Sequence, residues 1–346
     1  MKDFLVITAF MDTGDRFRRR NLIESVNRTK EMFPEADIVV SEQGDGKWFG
    51  STGLDCMHLC SGNVGDFCKT KLLNAAVRAN PGRVAYLMVD ADVLLSAPVV
   101  EYIKNHYMDG SLVYPYGDCM YLNEPDTARA IAHRELLPGA KDHGIAIARQ
   151  TGLCNVFTWD TYCKVGGYDE SFVGWGAEDD AYLVKCRRLV APIVRNTDKN
   201  AMVHHMFHMK VNTPEYMDKG PLYVNNRVRC ACIRRMSDED LANYVSGNST
   251  MDEMISKYNR LGRLDIRIDW KYTPRYTLHM DATIYDIDRN GEMTMTKVLD
   301  AMFAEDGAES TIAFIDDVKE KVVDLNDEQI AELDAARNRY AASIRA

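Results

Sequence analysis

The chain of 346 residues has room for about two domains or one large α/β domain, and its 42 Lys and Arg against 52 Asp and Glu give a formal net charge of −10. A hydrophobic content of 46% with 27% charged residues excludes a disordered chain and supplies a large core. The acidic balance argues against broad adhesion to DNA or anionic lipid, though not against a local basic groove, and no stretch reaches the ~18 consecutive apolar residues of a spanning helix.

In chain order, Phe4–Thr8 reads as a buried first strand. Asp3 before it, its short length and the lack of a small-residue cleavage pattern argue against a leader. Leu22, Val26, Thr29 and Phe33 recur at helical spacing, and residues 37–41 form the next strand. Beyond a Gly-rich loop at 44–66, residues 71–80 look helical, and Val84–Val89 is a buried strand ending on two aspartates. Further strands are expected at 111–115 and 154–158, a helix at 178–190, and a β-hairpin at 263–286 turning through Tyr272–Arg275. After about residue 290 the chain becomes helical and acidic. Residues 301–346 carry 5 Lys and Arg against 11 Asp and Glu, and an N-cap is expected at Asn326 with a reciprocal Gln329. The β-α-β rhythm predicts an open, mostly parallel sheet with helices on both faces, whose ligands lie outside the carboxyl ends of the strands.

The nine scattered cysteines fit reduced thiols. Cys56, His58, Cys60 and Cys68 could offer zinc ligands, but their spacing fits no common zinc module, and a half-buried strand is the plainer reading.

Asp90 and Asp92 follow directly on a buried strand, where two carboxylates can hold a hard divalent cation that in turn binds a diphosphate. A solvated loop is the alternative. The run Gly174-Trp175-Gly176-Ala177-Glu178-Asp179-Asp180 is more specific: an indole between two glycines, then three acids opening a helix. Helix-dipole preference accounts for one or two of those acids, but not for the flat ring beside them. That arrangement suits a sugar-stacking platform next to a general base. His204, His205 and His208 form an imidazole cluster able to complete a metal site begun by Asp92, or a plain histidine cluster. Phe67, Lys69 and Lys71 at a helix start could meet a base and phosphates. Arg16, with Arg18, Arg19 and Arg20, is a phosphate candidate or a solvated helix face.

Taken in order, ITAF, FCKTKLLN, VDADVLL, GLCNVFTWDTYCKVGGYDESFVGWGAEDDAYL and MVHH resemble the β-1,4-galactosyltransferase family. The relatives of that family are the chondroitin-type polymerases and the galactosyltransferase-like domain of polypeptide N-acetylgalactosaminyltransferases. The resemblance spans residues 1–285 or so and rests on ordered co-occurrence, the GWGxEDD block being its specific part. It implies a GT-A fold over residues 1–290, with a nucleotide-binding half (1–95) and an acceptor-binding half (96–290), followed by an acidic helical extension at 291–346. By position it implies Asp92, His205 and Met202 as ligands to Mn²⁺ or another divalent cation, with His204 and His208 as alternative imidazoles. Asp90 would contact the ribose of a UDP-sugar, Phe67 the uracil, and Lys69 the phosphates. Trp175 would line donor and acceptor sugars on a closing loop. Asp179 would be the catalytic base, supported by Glu178, with Asp180 and Gly176 on the acceptor side. Gln150 falls where an aromatic residue helps choose the donor sugar.

The implied activity is metal-dependent, inverting transfer of a sugar, galactose or N-acetylhexosamine by default, from a UDP-sugar to a saccharide hydroxyl. Two alternatives stand beside it. Arg227, Arg229, Arg234 and Arg235 could mark an acceptor that is a modified nucleic-acid base, or a protein side chain could serve. A non-catalytic carbohydrate-binding relative is the other. Without anchor or leader, a cytoplasmic protein of bacterial or viral type is expected.

Overall fold

The structure, a computed structural model, describes residues 3–62, 65–134, 151–209 and 221–261, together with 299, 303, 307–321 and 327–345. Its contacts divide the chain into two units, Met1–Met254 and Ile255–Ala346.

The first unit is built on β1 (Phe4–Met11), buried along nearly its whole length. Its run of Phe, Leu, Val and Ile has no polar face because both sides of a central parallel strand are covered. Asp15 caps α1 (Arg16–Met32) by accepting from the Phe17 N–H at 2.8 Å, and the helix lays Phe17, Leu22 and Val26 on the core. β2 (Asp37–Gln43) then pairs parallel with β1, and β3 (Met57–Cys60) parallel with β2. α2 (Lys69–Ala79) buries Leu72, Leu73, Ala76 and Val77 in the same core and delivers the chain to β4 (Ala85–Val89) on the far side of β1. Burying one such Leu is worth roughly 2 kcal/mol.

Two further β strands, β5 (Val93–Leu95) and β6 (Leu112–Tyr114), flank α3 (Ala97–His106). Next come β7 (Asp118–Tyr121), α4 (Glu124–His133), β8 (Cys154–Thr158) and α5 (Trp159–Lys164). The unit continues through α6 (Glu178–Leu189), β9 (Ile193–Arg195) and β10 (Met202–His205) to α7 (Pro221–Arg235) and α8 (Asp238–Val245).

The main sheet has the order β3-β2-β1-β4-β8-β6-β9. It is parallel except where β8 runs antiparallel to both its neighbours. This is the mostly parallel α/β architecture expected, and the order reverses at β1, so the carboxyl end of β4 opens onto a crevice. A second sheet, β5-β10-β7, crosses that end. In it His205 stands opposite Val93 and beside Tyr121, which carries the histidine strand to the residue next to Asp92.

α9 (Met251–Arg260) follows, and then, in the second unit, α10 (Ala308–Lys321) and α11 (Asp327–Arg345). Leu299, Ile315, Leu333, Ala336 and Tyr340 form a core of their own. The expected hairpin at 263–286, its turn at Tyr272–Arg275, the cap at Asn326 and the boundary near 290 lie outside the described residues. Among the described residues no helix is long and apolar enough to cross a membrane.

Candidate active site

Two clusters flank the Asp90-Ala91-Asp92 turn at the end of β4. Asp92 lies 3.6 Å (Oδ1) from His205 Nε2 and 3.2 Å (Oδ2) from His208 Nε2. The ligand atoms of Asp92, His205 and His208 all lie within 4.8 Å of one another. Burial works against the Asp92 charge, yet His205 and His208, with Arg18 behind them, hold its carboxyl well below the usual range. Burial pulls His205 down toward the neutral imidazole a metal needs, while contact with Asp92 outweighs burial at His208 and raises it. His205 also stacks on Tyr121, with ring centroids 4.6 Å apart. One carboxylate and two imidazoles make a mixed O/N donor set that fits Mn²⁺ or a similar divalent cation.

Met202 is the residue expected to join His205 as a ligand. Along β10 side chains alternate, so residues 202 and 205, an odd step apart, face opposite ways. Met202 packs instead against a small apolar group of Leu94, Met120, Leu122, Ala130 and Met206, and His208 is the third group beside Asp92. His204 is buried on the Met202 side of the strand. The cysteines form no metal group among the described residues. His58 instead meets Glu42 at 2.8 Å and stacks on Phe49, Cys60 Sγ donates to the Gly44 carbonyl, and Cys68 is buried at the start of α2.

The other cluster gathers around Lys69, the first residue of α2. Its ammonium lies 2.8 Å from Asp90 Oδ1 and 2.9 Å from Asp179 Oδ2, so it ties the end of β4 to the start of α6. Asp90 Oδ2 accepts from the Leu153 N–H at 3.1 Å. Glu178 Oε2 accepts from the Gly176 N–H at 3.0 Å, and Asp180 Oδ1 from the Thr151 hydroxyl at 2.5 Å. Burial pushes Asp179 up to about 8, with Lys69 opposing and Glu178 and Asp90 adding to the rise; burial raises Glu178 as well. Burial works to lower Lys69, but Asp179, Asp90 and Glu178 hold it well above its ordinary value. These directions fit together: with several carboxylates around a single buried ammonium, the ammonium keeps its proton and a carboxyl keeps one too. Asp179 Oδ1 is buried and has no hydrogen-bond partner among the described residues. Gly152 leaves room for this carboxyl, since a Cβ there would stand 2.8 Å from Asp179 Oδ2.

The glycine-flanked loop closes the site. Gly174 N–H donates to the Phe67 carbonyl at 2.8 Å, joining the loop to the residue expected to meet a base. Trp175 is 42% exposed and stacks on Tyr223 of α7, with centroids 5.4 Å apart and planes 17° apart. At Gly176 (φ +110°) a Cβ would come within 2.8 Å of the Tyr223 ring, so only glycine lets the indole lie this close. Asn226 grips the loop from α7, its Nδ2 donating to the carbonyls of Val173 at 2.9 Å and Trp175 at 3.5 Å.

Arg16 is exposed, with its guanidinium 4.6 Å over the Phe17 ring, and the residue of α1 whose charge reaches Asp92, His205 and His208 is Arg18. Arg19 is engaged by Asp12 at 2.8 and 2.6 Å. Gln150 lies outside the described residues. Sequence reasoning missed Tyr223, Asn226, Thr151 and Gly152. The tight GWG turn was the only signal that another ring must lie against it.

Residues 144–210 match the family model described as the N-terminal domain of galactosyltransferase. No curated protein matches the sequence. Similar solved structures include the catalytic domain of Drosophila β1,4-galactosyltransferase 7 in complex with xylobiose, 12% identical, covering 72% of this chain and 82% of that chain with a TM-score of 0.35. Residues 1–349 of S. aureus TarS are 12% identical, covering 99% of this chain and 92% of that chain with a TM-score of 0.41. GalNAc-T7 with UDP, GalNAc and Mn²⁺ is 13% identical, covering 74% of this chain and 54% of that chain with a TM-score of 0.43.

Proposed function

We propose that this galactosyltransferase-like chain is a divalent-metal-dependent, inverting glycosyltransferase that moves a sugar from a UDP-sugar to a hydroxyl of a saccharide acceptor. The observation that carries the reading is Asp179: one oxygen is held by Lys69, the other is buried without a partner among the described residues, and the Asp92–His205–His208 group sits across the same turn. An unpartnered buried carboxylate oxygen is what a general base needs before its substrate arrives.

Asp92, His205 and His208 would hold Mn²⁺, which when bound supplies Lewis acidity toward the donor diphosphate. Lys69 brings an ammonium to the same side, and Arg18 adds positive field. Trp175 offers its exposed face to a sugar ring, held flat by Tyr223 beneath. In its ionised form, Asp179 takes on Oδ1 the proton of the acceptor hydroxyl as that oxygen bonds to the anomeric carbon. The bond from that carbon to the diphosphate breaks, and UDP leaves with the electron pair. Attack opposite the leaving group inverts the centre, so an α-linked donor gives a β-glycoside. Loop closure over the donor would exclude water, limiting hydrolysis.

The test is a screen of common UDP-sugars with Mn²⁺, reading thermal stability and UDP release. A donor should raise Tm, as any ligand that binds only the native state does, and should be turned over. If no UDP-sugar shifts Tm or releases UDP in the presence of Mn²⁺, the reading fails.

A further inference from the structure

Arg227 stands on α7 one turn beyond Tyr223, the ring beneath Trp175. It is 9% exposed, its guanidinium lies 6.0 Å over the Tyr223 ring, and its Nε has no hydrogen-bond partner among the described residues. Among the described residues it makes no ion pair. Asp180 attracts it only at a distance, and Arg234 repels it. Three guanidiniums on α1 and α6 are treated differently, whereas the less buried Arg229 of α7 shares a buried Nε with no partner among the described residues. Arg19 is clamped by both oxygens of Asp12, Arg28 is engaged by Glu24 and the Ala130 carbonyl, and Arg188 spans the Ile233 and Met236 carbonyls and Asp238. A buried guanidinium cannot shed its charge, so leaving it unpaired is costly unless something arrives to meet it.

Its neighbours indicate where that something sits. Tyr223 supports the sugar platform, Asn226 next to Arg227 holds the platform's backbone, and Asp180 belongs to the helix that carries the base. Lys69 and the Asp92 group lie around the β4 turn and serve the diphosphate side. We infer that Arg227 receives an anionic group on the acceptor, so that the acceptor is an acidic saccharide. The inference rests on the glycosyltransferase reading above. The planar fork of a guanidinium meets two oxygens at once, a geometry that carboxylates and phosphates share, so a uronate or a sugar phosphate would satisfy it. A buried receptor of this kind differs from a surface patch for nucleic acid, because bulk salt screens it much less.

The probes are methyl β-glucuronide, methyl β-glucoside 6-phosphate and neutral methyl β-glucoside, titrated into the full chain with UDP and Mn²⁺. One anionic probe should bind about 10-fold or more tighter than the neutral sugar, the usual worth of a charged hydrogen-bonded pair. The preference should persist at an ionic strength of about 1 M, where the Debye length is ~3 Å. Glucuronide preference assigns a carboxylate, and 6-phosphate preference a phosphate. Arg227→Gln should abolish the preference and Arg227→Lys should keep part of it, with Tm reporting that each variant is folded. Equal binding of all the probes, or a preference that vanishes in salt, overturns the inference. So does an Arg227→Gln variant that weakens neutral and anionic probes alike, which would make Arg227 only a counterweight to Asp180. The Tm shift with UDP and Mn²⁺ separates this failure from failure of the parent reading: if the shift is present and the preference absent, only the acidic acceptor is wrong.

Discussion

Asp90 and Asp92 stand two residues apart on one turn and occupy opposite electrostatic settings. Asp92 faces His205 and His208, groups that offer lone pairs to a cation when neutral. Asp90 faces the Lys69 ammonium, a fixed cation that already bridges it to Asp179. A dication on the Asp90 side would have to displace that ammonium; on the Asp92 side it replaces only protons. The turn therefore does not act as a symmetric pair of metal ligands. Under the proposed function, one carboxylate is kept for an exchangeable charge and the other is neutralised in place, with the proposed base, Asp179, on the neutralised side.

Removing the exchangeable side should have the largest effect. Asp92→Ala deletes the anionic member of the metal group, and Mn²⁺-dependent UDP release should fall by about 10³-fold, the worth of several kcal/mol of transition-state charge stabilisation. Asp90→Ala serves as the contrast: it should lose activity while still binding Mn²⁺. If titration finds Mn²⁺ affinity lost in Asp90→Ala and kept in Asp92→Ala, the assignment of the two sides is reversed.

On the neutralised side, Asp179→Asn keeps the shape and removes the base. Transfer should drop on the order of 10²-fold or more. Stability should move the other way. Burial pushes the folded Asp179 carboxyl up to about 8, above its unfolded value. The stability it lends is full below about pH 4, the unfolded range, and is lost as pH rises toward the folded value. Ligand-free wild type should therefore lose Tm over that window, and Asp179→Asn should flatten the decline. A variant as pH-sensitive as wild type would place the titration elsewhere. Lys69→Met then tests the clamp itself. Without the ammonium 2.9 Å away, Asp179 should hold its proton more tightly. The ascending limb of the pH–rate profile should move up by about 1 unit or more. A limb that does not move would show that Lys69 leaves the base untouched.

Much of the scaffold behind this contrast was legible in the sequence. A short apolar run such as Phe4-Leu5-Val6-Ile7, rich in β-branched and aromatic residues, reads as a strand covered on both faces, and the β4 run ending on Asp90 marks its own carboxyl end. The GWGxEDD block puts Trp175 and Asp179 side by side because both come from one local segment. What could not be read was whatever depends on distant residues meeting. Lys69 reads as a phosphate-binding cation from its own neighbourhood, and its bridge to Asp179, 110 positions away, exists only in the fold. Tyr223 carries no local signature, and Arg227 reads only as one of a cation cluster with Arg229, Arg234 and Arg235, since α7 meets the loop only in three dimensions. Arg16 and Arg18 differ by two positions on one helix, and sequence could not say which turns toward Asp92.

Met202 gives the smallest expected effect and the sharpest check on the metal side. Its position in MVHH invites a ligand role three residues before His205, yet a strand turns alternate residues to opposite faces, and an odd separation divides the two. Met202 lies against Leu94, Met120 and Met206, where a flexible thioether fills an apolar gap. Met202→Leu conserves volume there and should cost less than about 1.5 kcal/mol of stability. Its Mn²⁺ affinity, read by titration, should stay within about 2-fold of wild type, since no first or supporting partner of the ion is touched. His208→Ala should weaken it by about 10-fold or more on the same scale. If the order is inverted, with Met202→Leu the damaging change, β10 must turn its other face to the ion in solution, and the opposition between the two sides of the turn would have to be redrawn around Met202.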